Sequence, residues 1–281
     1  METIYQPLVS ILIANFNNGK YLEETLNSIY NQTYCNWEIV IVDDCSTDNS
    51  LSIYKSLEND KRIRIFTNAS NQGCGYTKRR CVVEAAGEIC AFVDPDDTIV
   101  PDALDKMIKL HGENPDYSLI HSKPYFCDES LKITREYTAA RNVEPNQSLF
   151  FNLDGAITHF STFKKTFYDK TDGIDAYLQR AVDQDLYLKL YDSGKTLFLD
   201  ESLYMYRIHN KGISTNTNAR KAYYWAWVVI FSAARRRGIN LETSFFGYFT
   251  PKQEFEYIVN RYSKFRKVDK IIDKVKSLFF R

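Results

Sequence analysis

The sequence lacks the features of a secreted, disulfide-rich or membrane-spanning protein. Its six cysteines include no Cys-x-x-Cys pair, so they predict buried thiols in a reducing compartment rather than a disulfide framework. The longest apolar stretch, residues 223–234, is too short to cross a bilayer and is interrupted by Ser232. The first seven residues have no charged segment followed by an apolar one, which a signal peptide requires. We therefore expect a cytoplasmic protein.

The chain also lacks net charge, because 36 Lys and Arg residues balance 36 Asp and Glu residues. These charges are unevenly placed: residues 219–281 contain 14 basic and 5 acidic residues, so residues 1–218 are acidic overall. An acidic body is compatible with metal binding, and a basic end is compatible with an anionic surface. We expect no nucleic-acid partner.

The basic end, residues 264–281, has apolar side chains on one helical face and lysines elsewhere. A basic amphipathic helix can lie on an anionic membrane, which would place the protein peripherally on the inner face of that membrane. The same apolar face could instead pack on the protein's own body or on a second copy, giving a homodimer through the C-terminal helices. The sequence leaves these alternatives open.

Strands and helices alternate along the first hundred residues. Apolar runs predict buried β-strands at residues 8–14, 37–42, 62–67 and 88–93. Helical spacing and capping residues predict helices between them, at residues 21–31, 49–57 and 76–86. Short connections between such elements favour an α/β fold with a mostly parallel sheet and helices on both faces.

The remaining elements are predicted with less regular spacing. We expect a helix over residues 101–111, three strands over residues 117–122, 195–199 and 203–208, and helical structure from residue 219. Residues 131–148 are polar and predict an irregular loop. This organisation predicts two halves of one domain, residues 1–100 and 101–218, followed by a basic helical tail, residues 219–281.

Polar clusters follow three of the predicted strands, at residues 15–17, 43–44 and 94–97. Ligands of open α/β sheets bind beyond the carboxyl ends of the strands, so these clusters mark a candidate site. The last cluster, Asp94-Pro95-Asp96-Asp97, concentrates three carboxylates that repel one another unless a cation lies between them. Such hard oxygen ligands suit Mg²⁺ or Mn²⁺, which bridge diphosphates. A solvated cluster that caps the following helix is the alternative.

Four segments resemble, in order and spacing, the signatures of the family 2 inverting glycosyltransferases. They read VSILIANFN at residues 9–17, VDDCSTD at residues 42–48, NQG at residues 71–73 and DPDD at residues 94–97. The resemblance extends over about residues 7–215. It implies a GT-A fold, which is a Rossmann-type α/β architecture. It also implies a nucleotide-sugar-binding half over residues 1–100 and an acceptor-binding half with the catalytic base over residues 101–218.

The resemblance also implies how the nucleotide-sugar is held. Asp44 matches the carboxylate that accepts a hydrogen bond from the base, usually uracil N3–H, and Ala14 and Phe16 match positions that line the same pocket. Lys78 falls where the family usually carries an Arg, which retains a cation but not the bidentate geometry of a guanidinium. The acidic cluster matches the metal site: Asp96 lies near the ribose and the metal, and Asp97 is the metal ligand proper.

A second part of the resemblance concerns the acceptor. Val182-Asp183-Gln184-Asp185-Leu186 resembles a Glu-Asp-x-Asp-Leu signature, which makes Asp183 the candidate catalytic base. A base is needed because an acceptor hydroxyl is a poor nucleophile until its proton is removed. Residues 206–209 resemble a Tyr-Arg-x-His segment that closes the domain. His209 could contact the metal or a phosphate, and a purely structural histidine is the alternative.

These observations favour a metal-dependent glycosyltransferase that uses Mn²⁺ or Mg²⁺. It would transfer a sugar, with inversion, from a nucleotide-sugar donor such as a UDP-sugar to a hydroxyl of a saccharide or lipid-linked saccharide. Two alternatives remain at this point. One is a nucleotidyltransferase that makes nucleotide-sugars, although it would need a Gly-rich basic loop after the first strand. The other is an inactive domain that only binds a sugar or a partner.

Overall fold

Four parallel strands form the first half of the sheet, as the apolar runs predict. A computed structural model describes residues 5–210, 212–213 and 218–242. The strands are β1 (Val9–Asn15), β2 (Trp37–Asp43), β3 (Ile63–Thr67) and β4 (Ile89–Phe92). They pair in the order β3-β2-β1-β4, and every pairing is parallel. Since β1, β2 and β4 are covered on both faces, their side chains are almost all apolar.

Three helices connect these strands at the predicted places. They are α1 (Gly19–Tyr30), α2 (Ser50–Leu57) and α3 (Cys74–Glu84). Helix α1 buries Leu22, Leu26 and Ile29, whose spacing of three and four residues places them on one helical face. These side chains join the strands in the main hydrophobic core.

The second half of the domain mixes short and long strands with helices. In chain order these are β5 (Thr98–Ile99), α4 (Ala103–Glu113), β6 (Tyr117–Cys127), β7 (Ile133–Glu136), β8 (Ser161–Lys164), α5 (Lys165–Tyr168), α6 (Val182–Ser193), β9 (Lys195–Arg207) and α7 (Ala219–Arg236). Within the described residues the sheet has nine strands, in the order β3-β2-β1-β4-β8-β6-β9-β5, with β7 paired to β6. Strand β8 is antiparallel to both of its neighbours and joins the two halves.

Two predictions about this half were wrong in detail. The predicted irregular loop, residues 131–148, contains β7, whose four residues are all exposed and therefore show no hydrophobic alternation. The two predicted strands, residues 195–199 and 203–208, are one strand, β9. Its middle residues, Asp200 and Glu201, are exposed and lie at an irregularity in the pairing with β6, which resumes at Ser202.

The chain divides into two compact units, Met1–Ala233 and Ala234–Arg281. The predicted amphipathic segment, residues 264–281, lies outside the described residues. Among the residues that are described, no helix is both long enough and apolar enough to cross a membrane.

Candidate active site

A cavity of about 630 Å³ opens where β1, β2 and β4 end. The carboxyl ends of parallel strands meet at one edge of a sheet, which explains why residues distant in sequence share this cavity. Its wall contains seven of the predicted site residues, namely Ala14, Phe16, Asp44, Lys78, Asp96, Asp97 and Asp183. The eighth, His209, lies directly behind the wall, because its Nε2 atom is 2.7 Å from Oδ2 of Asp96. The fold therefore brings the whole predicted set together.

Asp44 lies at one end of the cavity and holds the loop that follows β3. Its Oδ1 atom accepts hydrogen bonds from Asn68 Nδ2 at 2.7 Å and from the backbone N–H of Gln72 at 2.8 Å. Its Oδ2 atom accepts one from the backbone N–H of Gly73 at 2.8 Å. Each carboxylate oxygen can accept two hydrogen bonds, so Oδ2 retains capacity for a ligand donor.

Ala14 and Phe16 border the same end of the cavity. Ala14 is half-buried at the end of β1, and the Phe16 ring is 44% exposed. An aromatic ring exposed at a cavity wall offers a face on which a planar ligand can stack.

A buried hydrogen-bond network fixes the strand end from which Asp44 projects. The Tyr54 hydroxyl donates to Asp43 Oδ2 at 2.7 Å, and Asn15 Nδ2 donates to the Tyr54 hydroxyl oxygen at 2.7 Å. Ser46 N–H donates to Asp43 Oδ1 at 2.7 Å. Burial and the Asp43 carboxylate raise the pKa of Tyr54 above its ordinary value, which keeps the hydroxyl protonated as a donor.

The acidic cluster after β4 separates into two different environments. Asp96 is half-buried and its carboxylate faces His209, whose ring also packs 5.0 Å from the Tyr21 ring. Asp97 is only 2% exposed, and its Oδ1 atom accepts a hydrogen bond from the Arg207 backbone N–H at 2.7 Å. Burial, and then the nearby Asp96 and Asp94 carboxylates, raise the pKa of Asp97 well above its ordinary value.

Lys78 connects α3 to the acidic cluster and to the start of α6. Its ammonium lies 2.7 Å from Asp183 Oδ1 and 2.9 Å from Asp94 Oδ1, and the side chain is almost completely buried. Burial alone would raise the pKa of Asp183, but Lys78 and then His159 outweigh it, so that this pKa is lowered. Asp94 and Asp183 raise the pKa of Lys78 well above its ordinary value in spite of burial. Asp183 and Lys78 are therefore both charged at neutral pH.

Three possible metal ligands, Asp94, His159 and Asp183, have ligand atoms within 4.8 Å of one another. The ammonium of Lys78 already bonds to both carboxylates of this group. A second cation at this point would be repelled by that ammonium. The carboxylates of Asp94 and Asp183 are therefore already paired with Lys78, which makes this cluster a poor site for a metal ion.

Asp183 is held at the first turn of α6 by unusual backbone geometry. Ala181 before it has a positive φ of 56°, which turns the chain sharply into the helix. Asp185 Oδ2 accepts hydrogen bonds from Asp175 N–H at 2.9 Å and from Lys189 Nζ at 2.8 Å. These contacts fix the first turn of α6 to the loop that precedes it.

His159 is a cavity residue that the sequence did not predict. Its Nε2 atom lies 3.7 Å from Asp183 Oδ2, and its ring stacks on Tyr204 with centroids 5.0 Å apart. It stands in no recognisable motif, and only the pairing of β8 beside β4 brings it to the site. No signal in the sequence pointed to it.

The sequence profile of glycosyl transferase family 2 matches residues 10–172. That match covers more than half of the chain and includes Ala14, Phe16 and Asp44. The chain belongs to glycosyl transferase family 2. The resemblance drawn from the four segments is thereby confirmed, and the protein is a glycosyltransferase.

Relatives within family 2 differ widely in length. An uncharacterized glycosyltransferase of Methanocaldococcus jannaschii is 31% identical over 210 residues, which is 73% of this chain and 72% of that protein. Hyaluronan synthase of Pasteurella multocida is 30% identical over 83% of this chain, and chondroitin synthase of the same species is 29% identical over 96%. The chain spans only 24% and 28% of the length of those two synthases.

Solved glycosyltransferases confirm the predicted GT-A fold. Staphylococcus aureus TarS, in complex with UDP-GlcNAc, has a TM-score of 0.65 at 22% identity, covering 79% of this chain and 65% of that one. A mannosyltransferase of Pyrobaculum calidifontis, in complex with GDP-Man and Mn²⁺, has a TM-score of 0.57 at 15% identity. It covers 98% of this chain and 88% of that one.

Proposed function

We propose that this family 2 glycosyltransferase is metal-dependent and inverting, and that it transfers a sugar from a UDP-sugar to a saccharide hydroxyl. The observation that carries the proposal is that one cavity contains both the Asp44 end and the carboxylates Asp96 and Asp183. The base, the diphosphate and the reacting carbon of a nucleotide-sugar are parts of one molecule. The residues that would serve them, Asp44, Asp96 and Asp183, must therefore lie in one cavity.

The Asp44 end is the proposed base site. Asp44 is fixed by three hydrogen bonds, so it does not have to reorganise when a donor arrives. The capacity left at Oδ2 fits one N–H donor of a uracil ring, and Ala14 and Phe16 border the place where that ring would lie. The UDP-GlcNAc found in TarS supports uracil as the base, at the level of fold.

Asp96 and His209 are the proposed metal ligands. A carboxylate and an imidazole are both ligands of Mn²⁺, and their donor atoms are only 2.7 Å apart. The Mn²⁺ of the P. calidifontis mannosyltransferase supports this class of ion. A divalent cation held there would neutralise charge on the leaving diphosphate.

We assign Asp97 a supporting role rather than the ligand role expected from the sequence. Its Oδ1 atom accepts a hydrogen bond from the Arg207 backbone N–H, and its side chain is buried below the surface of the cavity. Arg207 in turn donates to the Asp96 backbone carbonyl at 2.6 Å. Asp97 and Arg207 would therefore fix the segment that presents Asp96, as outer partners of metal ligands commonly do.

Asp183 is the proposed base. Its Oδ1 atom is engaged by Lys78, so Oδ2 is the oxygen that would receive the acceptor's proton. The acceptor oxygen forms a bond to the anomeric carbon from the face opposite the diphosphate. The bond from that carbon to the diphosphate breaks, and its electron pair leaves with the diphosphate. A single displacement of this kind inverts the configuration.

We also propose that the two halves of the domain divide this work. Residues 1–100 supply the base site and the acidic cluster, and residues 101–218 supply Asp183 and His209. A saccharide or lipid-linked saccharide acceptor would approach from the second half. The hyaluronan and chondroitin synthases among the relatives support a polysaccharide acceptor.

UDP release from UDP-sugars, measured with and without saccharide acceptors, tests this function. We expect release that requires Mn²⁺ or Mg²⁺ and is faster with an acceptor. An inactive binding domain would bind UDP without releasing it from a donor, and a nucleotidyltransferase would instead release pyrophosphate from a nucleoside triphosphate. Full activity in excess chelator would contradict the metal dependence.

The metal ligands can be tested by comparing Asp96→Asn with Asp97→Asn. We expect Asp96→Asn to lose Mn²⁺-dependent UDP binding in calorimetry. Asp97→Asn should retain it, because the amide oxygen can still accept the hydrogen bond from the Arg207 backbone N–H. The reverse pattern would restore Asp97 as the ligand.

A further inference from the structure

One wall of the cavity is aromatic and has no part in the function proposed so far. Phe126, Tyr137 and Tyr206 line the cavity, together with Pro124. We call the three aromatic residues the aromatic wall. All three are half-buried, so part of each ring faces the cavity.

The pairing of three strands builds this wall. Phe126 of β6 lies directly opposite Tyr206 of β9, and their ring centroids are 5.5 Å apart at an interplanar angle of 80°. Tyr137 follows β7, which pairs with the last part of β6, and its ring centroid is 5.7 Å from that of Phe126. Tyr125 is adjacent to Phe126 but does not line the cavity, as the alternation of side chains along a strand requires.

Neighbouring contacts hold the wall in place. The Tyr137 hydroxyl donates to the Asp154 backbone carbonyl at 2.9 Å. The Arg135 guanidinium lies 3.9 Å from the centroid of Phe126, within the range of a cation–π interaction. These contacts preorganise the aromatic wall.

One residue, His159, lies between the aromatic wall and the proposed base, Asp183. The Tyr206 ring is stacked against His159, with centroids 6.4 Å apart and an angle of 23°. His159 Nε2 is in turn 3.7 Å from Asp183 Oδ2. The wall and the Asp183 carboxylate therefore line the same cavity, with His159 between Tyr206 and Asp183.

We propose that the aromatic wall is the acceptor subsite, and that it binds a pyranose ring by stacking. The proposal rests on the proposed function. The C–H groups on the face of a pyranose are weakly positive, and the face of an aromatic ring is negative, so the two surfaces attract. The ring hydroxyls project from the edge of the pyranose, where one of them can reach Asp183. An open-chain polyol has no such face and fits the wall poorly.

The test uses the full-length protein, a UDP-sugar donor that it binds, and two sets of candidate acceptors. One set contains methyl pyranosides of common hexoses and N-acetylhexosamines, and the other contains glycerol and ribitol phosphate. We expect at least one pyranoside to accelerate UDP release, and the open-chain polyols not to do so. Release that is accelerated only by the polyols, or by neither set, would overturn the proposal. A protein that binds no nucleotide at all would instead refute the proposed function.

Substitutions at Phe126 separate stacking from packing. Phe126→Leu keeps an apolar side chain and removes the aromatic face, so it should raise KM for the pyranoside about tenfold, with little change in kcat. Phe126→Trp should restore KM, because it returns an aromatic face. Tyr125→Leu, on the other side of the same strand, is the matched control and should leave KM unchanged.

Donor affinity distinguishes this subsite from a part of the donor site. Calorimetry with UDP should give the same Kd for the native protein and for Phe126→Leu. Weaker UDP binding with an unchanged pyranoside KM would assign the wall to the donor and overturn the proposal. Thermal melting of each variant shows that it is folded.

Discussion

At the scale of single residues, transfer in the proposed mechanism depends most on Asp183. Asp183→Asn keeps the shape of the side chain and removes its basicity. General-base catalysis contributes roughly 10²–10⁴-fold to rate, so turnover should fall by about that factor while UDP affinity stays near native. Product formation and calorimetry on the same preparation measure both quantities.

The control for this substitution is Asp192→Asn, in the exposed last turn of the same helix, α6. It removes a carboxylate from α6 without touching the cavity and should leave turnover unchanged. Native turnover in Asp183→Asn would mean that another residue accepts the proton.

Lys78 should control the pH at which Asp183 works. Asp183 is a base only when ionised, so activity is lost as the pH falls through its pKa. Lys78 lowers that pKa, and its removal must raise it. In Lys78→Met we therefore expect the acidic limb of the profile of kcat against pH to move to higher pH.

Lys78→Arg keeps the positive charge and is the control. Its acidic limb should remain close to that of the native protein. If the acidic limb of the kcat profile stays at the same pH in Lys78→Met, then Lys78 does not affect the pKa of the group whose ionisation limits turnover.

At the scale of elements, the buried network at the end of β2 should contribute to stability as well as to the base site. Tyr54 is 7% exposed, and Tyr54→Phe removes one buried hydrogen-bond partner from Asp43 and one from Asn15. We expect the free energy of unfolding to fall by about 1–3 kcal/mol. Chemical denaturation measures this change.

Tyr30→Phe makes the same chemical change on the exterior, where the ring is 37% exposed and its hydroxyl donates to Asp60. It should cost about 0.5 kcal/mol or less. Equal losses in the two variants would show that the network at β2 has no special role.

Elements with strong hydrophobic patterns were predictable, and those without were not. Strands β1, β2 and β4 are buried on both faces, so their sequences are continuous apolar runs bounded by polar residues. Strand β8 has only four residues, Ser161–Lys164, of mixed polarity, and β7 is wholly exposed. Such strands are defined by their partners, which a single sequence does not display.

The same limit applies within the site. The residues after β1, β2 and β4 were predictable because strand ends in this class of sheet face the ligand. The ion pair between Lys78 and Asp183 joins residues 105 positions apart. Asp96 and Asp97 are neighbours in sequence, but the Asp96 carboxylate faces His209 whereas the Asp97 carboxylate is buried against the Arg207 backbone. Contacts of this kind depend on tertiary structure.

At the scale of the whole molecule, binding of a donor should stabilise the fold by mass action. UDP with Mn²⁺ at about 100 times its Kd should add about 2.7 kcal/mol to the free energy of unfolding. A thermal shift assay should show a rise in Tm that requires the metal. An equal rise with GDP would contradict selective recognition of uracil.

The basic tail predicts a second property of the whole chain. Residues 219–281 carry an excess of basic residues, and each can contribute about 1 kcal/mol near an anionic surface. We expect the protein to co-sediment with vesicles containing phosphatidylserine at low salt and to dissociate at high salt. Vesicles of phosphatidylcholine alone are the control. No sedimentation at low salt would favour packing on the protein or a homodimer.

The arrangement of Lys78 between Asp94 and Asp183 has a consequence for how this sequence can diverge. A buried charge that loses its partner is costly, whereas an ion pair that is lost together often is not. We therefore expect substitutions at positions 78, 94 and 183 to occur together rather than singly. Among descendants that keep the base, the cation at position 78 should persist as Lys or Arg, or a new cation should arise nearby. Descendants that have abandoned transfer should lose the charges at these positions together.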